Sequence, residues 1–148
     1  SQAQEPGTDV LVSYTGSFSD TGLATETAQA HIGAGADVLT GSAQMVVGAV
    51  AAAEQAGALW FGTQSNQASL APSSVVASQV YHWEVALRPI IEDIRTGQLA
   101  GNTYTADLAN GGLVIEYNAG VPMAPEVRQR ADQIFAEIIN GSIVVPGG

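Results

Sequence analysis

Residues 36–62, ADVLTGSAQMVVGAVAAAEQAGALWFG, decide the fold class of this chain. Residues 36–40 are mostly apolar and predict a short strand that stops at Gly41. Residues 43–56 are rich in alanine and predict a helix that ends at Gly57, since glycine is favoured just past a helix C-terminus. Residues 58–62 are apolar again and predict the next strand. Short apolar strands that alternate with helices indicate a parallel sheet covered by helices.

The same pattern extends in both directions from this stretch. Residues 9–15, DVLVSYT, predict a buried strand, and residues 23–33 predict the helix that follows it. Residues 75–81, VVASQVY, predict a fourth strand. Together these elements predict an α/β fold of the flavodoxin-like type, a parallel sheet with helices on both faces and right-handed connections.

The second half of the chain has a different character. An amphipathic helix is predicted first, then two strands joined by the turn Asn110-Gly111-Gly112, then a last helix and a short strand. These elements are expected over residues 83–96, 102–107, 113–117, 125–140 and 143–145. We expect one lobe over residues 9–146, preceded by a flexible segment of residues 1–8 and followed by a tail of residues 147–148.

Composition excludes several classes of function. The 14 acidic residues outnumber the 4 basic ones and give a net charge of −10, so no basic footprint for nucleic acid exists. The absence of cysteine excludes disulfides and thiolate metal sites. Neither an HExxH nor a GxSxG motif occurs, and the two histidines are far apart in sequence. We therefore expect no catalytic residue, no metal and no cofactor.

In an open parallel sheet, ligands bind outside the carboxyl ends of the strands. Four segments qualify by position: residues 16–20, 41–44, 63–67 and 81–83. They offer hydroxyls, amides, a carboxylate, an imidazole and aromatic rings, which suits a small, polar and partly flat ligand.

Each of these residues also has a purely structural interpretation. Phe18 could anchor its loop in the core, and Asp20 could cap a helix. Gln64 could belong to a solvated loop, and His82 and Trp83 could pack against the domain.

Residues 14–43, YTGSFSDTGLATETAQAHIGAGADVLTGSA, resemble the basic membrane protein family of solute-binding lipoproteins, which are purine-nucleoside-binding subunits of ABC importers. The resemblance continues through the motifs GAVAAA, GTQSNQ and LAPSSVVASQVYHW and through the C-terminal stretch from Val121 to Pro146. It covers nearly the whole chain, from about Val10 to Pro146.

The resemblance implies a fold, a role and a set of ligand residues. The fold is one lobe of a type I periplasmic binding protein, and the role is non-enzymatic binding of a purine nucleoside or purine base. The implied partner is an ABC permease, and the implied location is extracytoplasmic, either periplasmic or lipid-anchored at the cell surface. Phe18 or Trp83 would stack on the ligand ring. The polar edges of the ligand would be hydrogen-bonded by Asp20, Ser42, Gln64 and His82.

The chain departs from the family pattern in two ways. Family members have two lobes and about twice this length, so this chain would supply one wall of an interlobe cleft. The crossover helix of residues 83–97 would then need a partner for its apolar face, either an N-terminal lobe or a second copy in a homodimer. Gln64 stands where the family has an aspartate, and Trp83 is similar to members suited to free bases.

Two other functions stay open at this point. The chain could be a regulatory or assembly module that has lost ligand binding. It could also be an enzyme of the nucleoside hydrolase type, although its acidic residues are scattered along the sequence.

Overall fold

The computed structural model describes residues 7–145. The predicted tail of residues 147–148 and most of the predicted flexible segment of residues 1–8 therefore lie outside the described residues. The chain forms four helices and four strands within the described range. In order, they are α1 (Thr21–Gly33), β1 (Val38–Thr40), α2 (Val46–Ala56), β2 (Leu59–Gly62), β3 (Val75–Tyr81), α3 (Glu84–Arg95), β4 (Leu113–Tyr117) and α4 (Pro125–Ile139).

The four strands form one mixed sheet in the order β1-β2-β3-β4. The first three strands are parallel, with Leu39 opposite Trp60 and Trp60 opposite Val75. β4 runs antiparallel to β3, with Ser78 opposite Glu116. The predicted α/β class is confirmed, and the antiparallel β4 makes the sheet mixed where a wholly parallel one was expected.

The hydrophobic core lies between α1, α2 and one face of the sheet. Leu39, Trp60 and Val75 are register partners on that face, and all three are buried. Small side chains let the two helices approach closely. A Cβ at Gly48 would lie only 2.5 Å from Thr25 Oγ1 and even nearer to the carbonyl oxygen of Thr21. The absence of a side chain at Gly48 is therefore what allows α2 to lie this close to α1.

The two later helices contribute no buried residue. On α3, Leu87, Ile91 and Ile94 are spaced along one side of the helix and are all at least half exposed. Such spacing is typical of a helix that packs its apolar side against another surface. Within residues 7–145, no helix has the length and apolarity needed to cross a bilayer.

The strand predicted over residues 9–15 is wrong. The structure shows no regular secondary structure there, and Val10, Val12 and Tyr14 are exposed. No strand of the described chain pairs with residues 9–15, and β1 is paired only with β2, on one of its two sides. A β-branched apolar segment forms a strand only when a partner strand satisfies its backbone groups.

The first strand of the predicted hairpin, over residues 102–107, is also wrong. Side chains satisfy the turn instead: Asp107 N donates to Asn110 Oδ1, Asn110 N donates to Asp107 Oδ1, and the Asn110 amide donates to Thr105 O. These bonds replace the ladder that a hairpin would need. Residues 143–145 form no strand either, and Ile143 N donates to Glu137 O at the end of α4.

Candidate functional site

The ends of the three parallel strands are joined into one edge by hydrogen bonds between successive loops. Thr63 Oγ1 donates to Gly41 O at 2.7 Å, and Gln64 Nε2 donates to Ser42 Oγ at 3.3 Å. Tyr81 N donates to Gln64 O at 3.3 Å. The structure thus brings the predicted residues Ser42 and Gln64 into direct contact. It also connects both of them, through the backbone, to the end of β3.

Gln64 adopts a positive φ of 72°. This conformation is uncommon for a residue with a side chain and is found where surrounding contacts hold the backbone. Here the Gln64 carbonyl and side chain are both bonded, to Tyr81 and Ser42 respectively. The loop between β2 and β3 is therefore held in a defined shape at the sheet edge.

That loop is held by a group of buried hydrogen bonds around Gln67, here called the polar anchor. Trp60 Nε1 donates to Gln67 Oε1 at 2.7 Å, and Gln67 N donates to Ser78 Oγ at 3.0 Å. Gln67 Nε2 also donates to Thr63 O at 2.9 Å. Buried polar groups are stable only when they are hydrogen-bonded, and each of these is. The anchor fixes residues 63–67 to strands β2 and β3.

The loop before α1 carries Phe18 and Asp20. Met45 N donates to Phe18 O, which places this loop beside the start of α2. The Phe18 side chain is not a core anchor, since the residue is 79% exposed. Asp20 is the N-cap of α1, and its Oδ1 accepts from Leu23 N at 3.0 Å. Within the described chain, neither residue is hydrogen-bonded to the other four predicted ligand residues.

His82 lies between two carboxylates at the end of β3. Its Nδ1 is 3.9 Å from Glu84 Oε1, and its Nε2 is 3.8 Å from Glu116 Oε1. Glu116 Oε2 accepts from Asn66 Nδ2 at 2.5 Å. Glu116 therefore connects the loop after β2 to the residue after β3.

Trp83, the residue after His82, presents an aromatic surface. Its ring is 4.9 Å from the ring of Tyr81, centroid to centroid, with an interplanar angle of 30°. Trp83 is nevertheless 58% exposed. One side of the indole is supported by Tyr81 and much of the rest is open to solvent, which is the arrangement that a stacking ligand needs.

The sequence-based prediction missed Glu116 as a member of this edge, and it included Asn66 in the candidate segment 63–67 without choosing it as a ligand residue. Glu116 is the one acidic residue in the apolar strand LVIEY, which was a signal that its side chain meets polar partners. Its partner Asn66 lies 50 residues earlier in the chain, and pairing across that separation was not visible in the sequence.

Two open pockets lie away from these residues. One, of about 340 Å³, is lined by Val76, Tyr117 and Arg128 among others. There the Arg128 guanidinium lies 3.6 Å from the centroid of the Tyr117 ring. Burial raises the pKa of Tyr117, and the charge of Arg128 opposes that rise. Neither this pocket nor the second one is lined by any of the six predicted ligand residues.

The second pocket, of about 180 Å³, lies at the end of α3 beside Asp93 and Tyr104. Tyr104 Oη donates to Asp93 Oδ2, as does Asn102 Nδ2. The bonds from Tyr104 and Asn102 lower the pKa of Asp93. The bond to Asp93 raises the pKa of Tyr104, and Asn102 opposes that rise. No group of three or more histidine, aspartate or glutamate side chains suited to a metal ion occurs within residues 7–145.

The sequence matches a family model over residues 2–148, and that family is described as PnrA-like ABC transporter substrate-binding proteins, or Bmp. This chain belongs to that family. The resemblance seen in the sequence motifs is thereby confirmed. A comparison with curated proteins gave no significant match.

Several solved structures share the fold of this Bmp family member. A solute-binding protein of an ABC transporter system from Aeropyrum pernix K1 superposes with a TM-score of 0.78 at 23% identity, over 98% of this chain and 50% of its own. A solute-binding protein of an ABC transporter system from Conexibacter woesei DSM 14684 gives 0.77 at 20% identity, over 98% and 49%. A transcriptional activator of the comK gene from Bacillus halodurans gives 0.76 at 24% identity, over 90% and 47%. The chain thus spans about half the length of each.

Proposed function

We propose that this chain forms one wall of the ligand site of an ABC importer's substrate-binding protein, and that the ligand is a purine nucleoside or purine base. The family match supports the transport role. The observation that carries the ligand proposal is this edge of the sheet: the loops after β1 and β2 and the end of β3 are hydrogen-bonded together, and the exposed Trp83 ring packs on Tyr81 at the end of β3. A flat ring with polar edges matches such a surface.

Under this proposal the six predicted residues form an aromatic group and a polar group. Trp83 and Phe18 are the aromatic rings available for stacking, since both are well exposed. Ser42, Gln64 and His82 offer hydroxyl, amide and imidazole groups for the polar edges, and Asp20 offers its second carboxylate oxygen. Ligand binding would favour closure against a second wall, and the closed form would engage an ABC permease outside the cytoplasm.

Tryptophan fluorescence gives a direct test on the 148-residue chain. Trp60 is 1% exposed, whereas Trp83 is open to solvent, so only Trp83 can report on a ligand at the edge. Titration with adenosine, guanosine, adenine and guanine should quench the Trp83 emission, and ribose should not. Excitation at the red edge of the indole band keeps absorption by the purines small.

Two variants make this test specific. Trp83→Ala should weaken purine binding, measured by calorimetry, by about 1–3 kcal/mol, the usual value of stacking a base on an aromatic ring. Leu99→Ala, which truncates an exposed apolar side chain outside the edge, should bind as the parent chain does. Purine binding that is absent from the parent chain, or unaffected by Trp83→Ala, contradicts the proposal.

Product analysis separates this function from the enzymatic alternative. Chromatography of a nucleoside after long incubation with the chain should recover it unchanged. Release of free base would instead identify a nucleoside hydrolase. A stable chain that binds neither nucleosides nor bases would support the regulatory module.

We infer that the apolar side of α3 is covered, in the working protein, by a second lobe. The structural neighbours support this occupant, because about half of each neighbour's chain lies outside the superposition. The strong negative charge of −10 also disfavours pairing of two identical chains. Light scattering tests the alternative: a stable dimer that Ile91→Glu dissociates would assign this face to a second copy.

A further inference from the structure

We propose that Glu116 determines ligand specificity by accepting a hydrogen bond from an amino group on the edge of the ligand ring, next to a ring nitrogen that Asn66 recognises. This inference rests on the proposed function and narrows its ligand to an aminopurine of the adenine type. It concerns two residues, Glu116 and Asn66, that were not among the six predicted ligand residues.

The position of Glu116 follows from the strand register. It lies opposite Ser78 on β4, and its side chain extends toward the carboxyl ends of the parallel strands, where it meets Asn66 and His82. Within the described chain, Glu116 is the β4 residue whose side chain is hydrogen-bonded to the loop after β2, through Asn66. Trp83 follows His82 directly in the sequence, and under the proposal its ring and the Glu116 carboxylate contact the same ligand.

Glu116 has hydrogen-bonding capacity beyond its contacts in the protein. A carboxylate offers about four acceptor positions. Within the described chain, Glu116 receives one hydrogen bond, from Asn66 Nδ2, and its other oxygen lies 3.8 Å from His82 Nε2. The side chain is 39% exposed. An N–H donor on a ligand can therefore reach it.

Asn66 complements this acceptor with a donor. Its Oδ1 accepts from Ala68 N at 2.9 Å, which fixes the orientation of the amide. Nδ2 then points to Glu116 and carries a second hydrogen that the bond to Glu116 does not use. A carboxylate acceptor beside an amide donor matches a ring edge with an amino group beside a ring nitrogen, as adenine has.

The charges around Glu116 favour a neutral ligand edge that carries N–H donors over an anionic ligand edge. Glu84 and Glu116 flank His82, and Arg128, which lies over the ring of the adjacent Tyr117, is paired with Asp132. An anionic ligand edge would face two carboxylates and be repelled. An amino group instead gains a charge-assisted hydrogen bond, which is stronger than a neutral one.

The test compares two ligands that differ in one amino group, adenosine and purine riboside. The parent chain should bind adenosine about tenfold more tightly than purine riboside. Purine riboside has no amino group for the Glu116 acceptor, and the loss of such a hydrogen bond lowers affinity by about that factor. Glu116→Met, which keeps the length of the side chain and removes the acceptor, should bring the affinity ratio close to one. Its affinity for purine riboside should stay unchanged, which shows that the rest of the site is intact.

Two further variants secure the result. Glu116→Gln retains an oxygen acceptor without the charge and should give an intermediate ratio, and it decides the question if Glu116→Met does not fold. Glu54→Met removes an acidic side chain at the far end of α2, bonded there to Ser73, and should leave the ratio unchanged.

The outcomes distinguish a failure of the proposed purine binding from a failure of the proposed role of Glu116. If neither nucleoside binds the parent chain, the proposed function itself fails. If both bind and the ratio is one in the parent chain, or is the same in the parent chain and in the Glu116 variants, the role of Glu116 is overturned while purine binding stands.

Discussion

The indole Nε1 of Trp60 donates a 2.7 Å hydrogen bond to Oε1 of Gln67, and both residues are buried. The bond joins the centre of β2 to the loop that carries Gln64 and Asn66. Because Gln67 is buried, the loop's shape depends on interior hydrogen bonds as well as on the bonds that Gln64 makes at the surface. The loop that forms part of the candidate site is therefore hydrogen-bonded directly to buried residues of the core.

We expect Gln67→Leu to destabilise the chain by about 1–3 kcal/mol, because the buried Trp60 N–H would lose its acceptor. Urea unfolding measures the change. Gln64→Leu is the matched control: its side chain is exposed and bonded only to Ser42, so its effect should stay within about 0.5 kcal/mol. Equal effects of the two substitutions would show that the Trp60–Gln67 bond does not hold this loop.

The close approach of α1 and α2 depends on Gly48. A Cβ there would meet Thr25 Oγ1 at 2.5 Å and press on the backbone of Thr21, so Gly48→Ala should cost about 1–3 kcal/mol through overpacking. Gly33→Ala, at the end of α1, adds the same methyl group where nothing lies within 4 Å. That control should be neutral or stabilising by up to about 1 kcal/mol. Thermal unfolding of both variants checks the difference, and a neutral Gly48→Ala would contradict the packing.

Local sequence was sufficient to predict several elements. Residues 75–81 form β3 over the predicted range, because β-branched and aromatic residues are frequent in this short segment and favour a strand. The helix α2 ends at Ala56, as Gly57 indicated, and Gly57 adopts a φ of 70°. Asp20 caps α1, which was one of its two interpretations.

Elements that depend on distant partners could not be predicted in the same way. Residues 9–15 have as strong a strand pattern as β3, yet they lack a paired neighbour in the described chain. At the edge of the sheet, the contact between Ser42 and Gln64 agrees with the predicted clustering of strand ends. The contacts of Glu116 with Asn66 and His82 could not be predicted, because these residues lie far away in the sequence.

The carboxylate of Asp93 should titrate below its ordinary range. Its pKa is lowered first by the hydrogen bond from Tyr104 and then by that from Asn102. A carboxyl whose pKa is lower in the folded state contributes stability above its unfolded-state pKa, and this contribution is lost as the pH falls through the folded-state pKa. The bond should therefore persist to a lower pH than it would with an ordinary aspartate carboxyl.

Tyr104→Phe tests this, because it removes the hydroxyl and keeps the ring. The titration midpoint of the Asp93 carboxyl carbon, followed by NMR, should rise in the variant. Asn102→Ala should raise the midpoint by a smaller amount, since Tyr104 has the larger effect. A midpoint that stays the same in Tyr104→Phe would mean that the hydrogen bond does not persist in solution.

Asp20 allows the structural and ligand roles of one side chain to be separated. Its Oδ1 caps α1 through Leu23 N, so Asp20→Ala should lower the unfolding free energy by about 0.5–2 kcal/mol. Asp20→Asn keeps a capping oxygen and should fold with nearly unchanged stability, while an amide replaces the second oxygen. Calorimetry with adenosine on Asp20→Asn then isolates the ligand role. We expect weaker binding at unchanged stability, because the second oxygen is proposed to accept from the ligand; full affinity would restrict Asp20 to capping the helix.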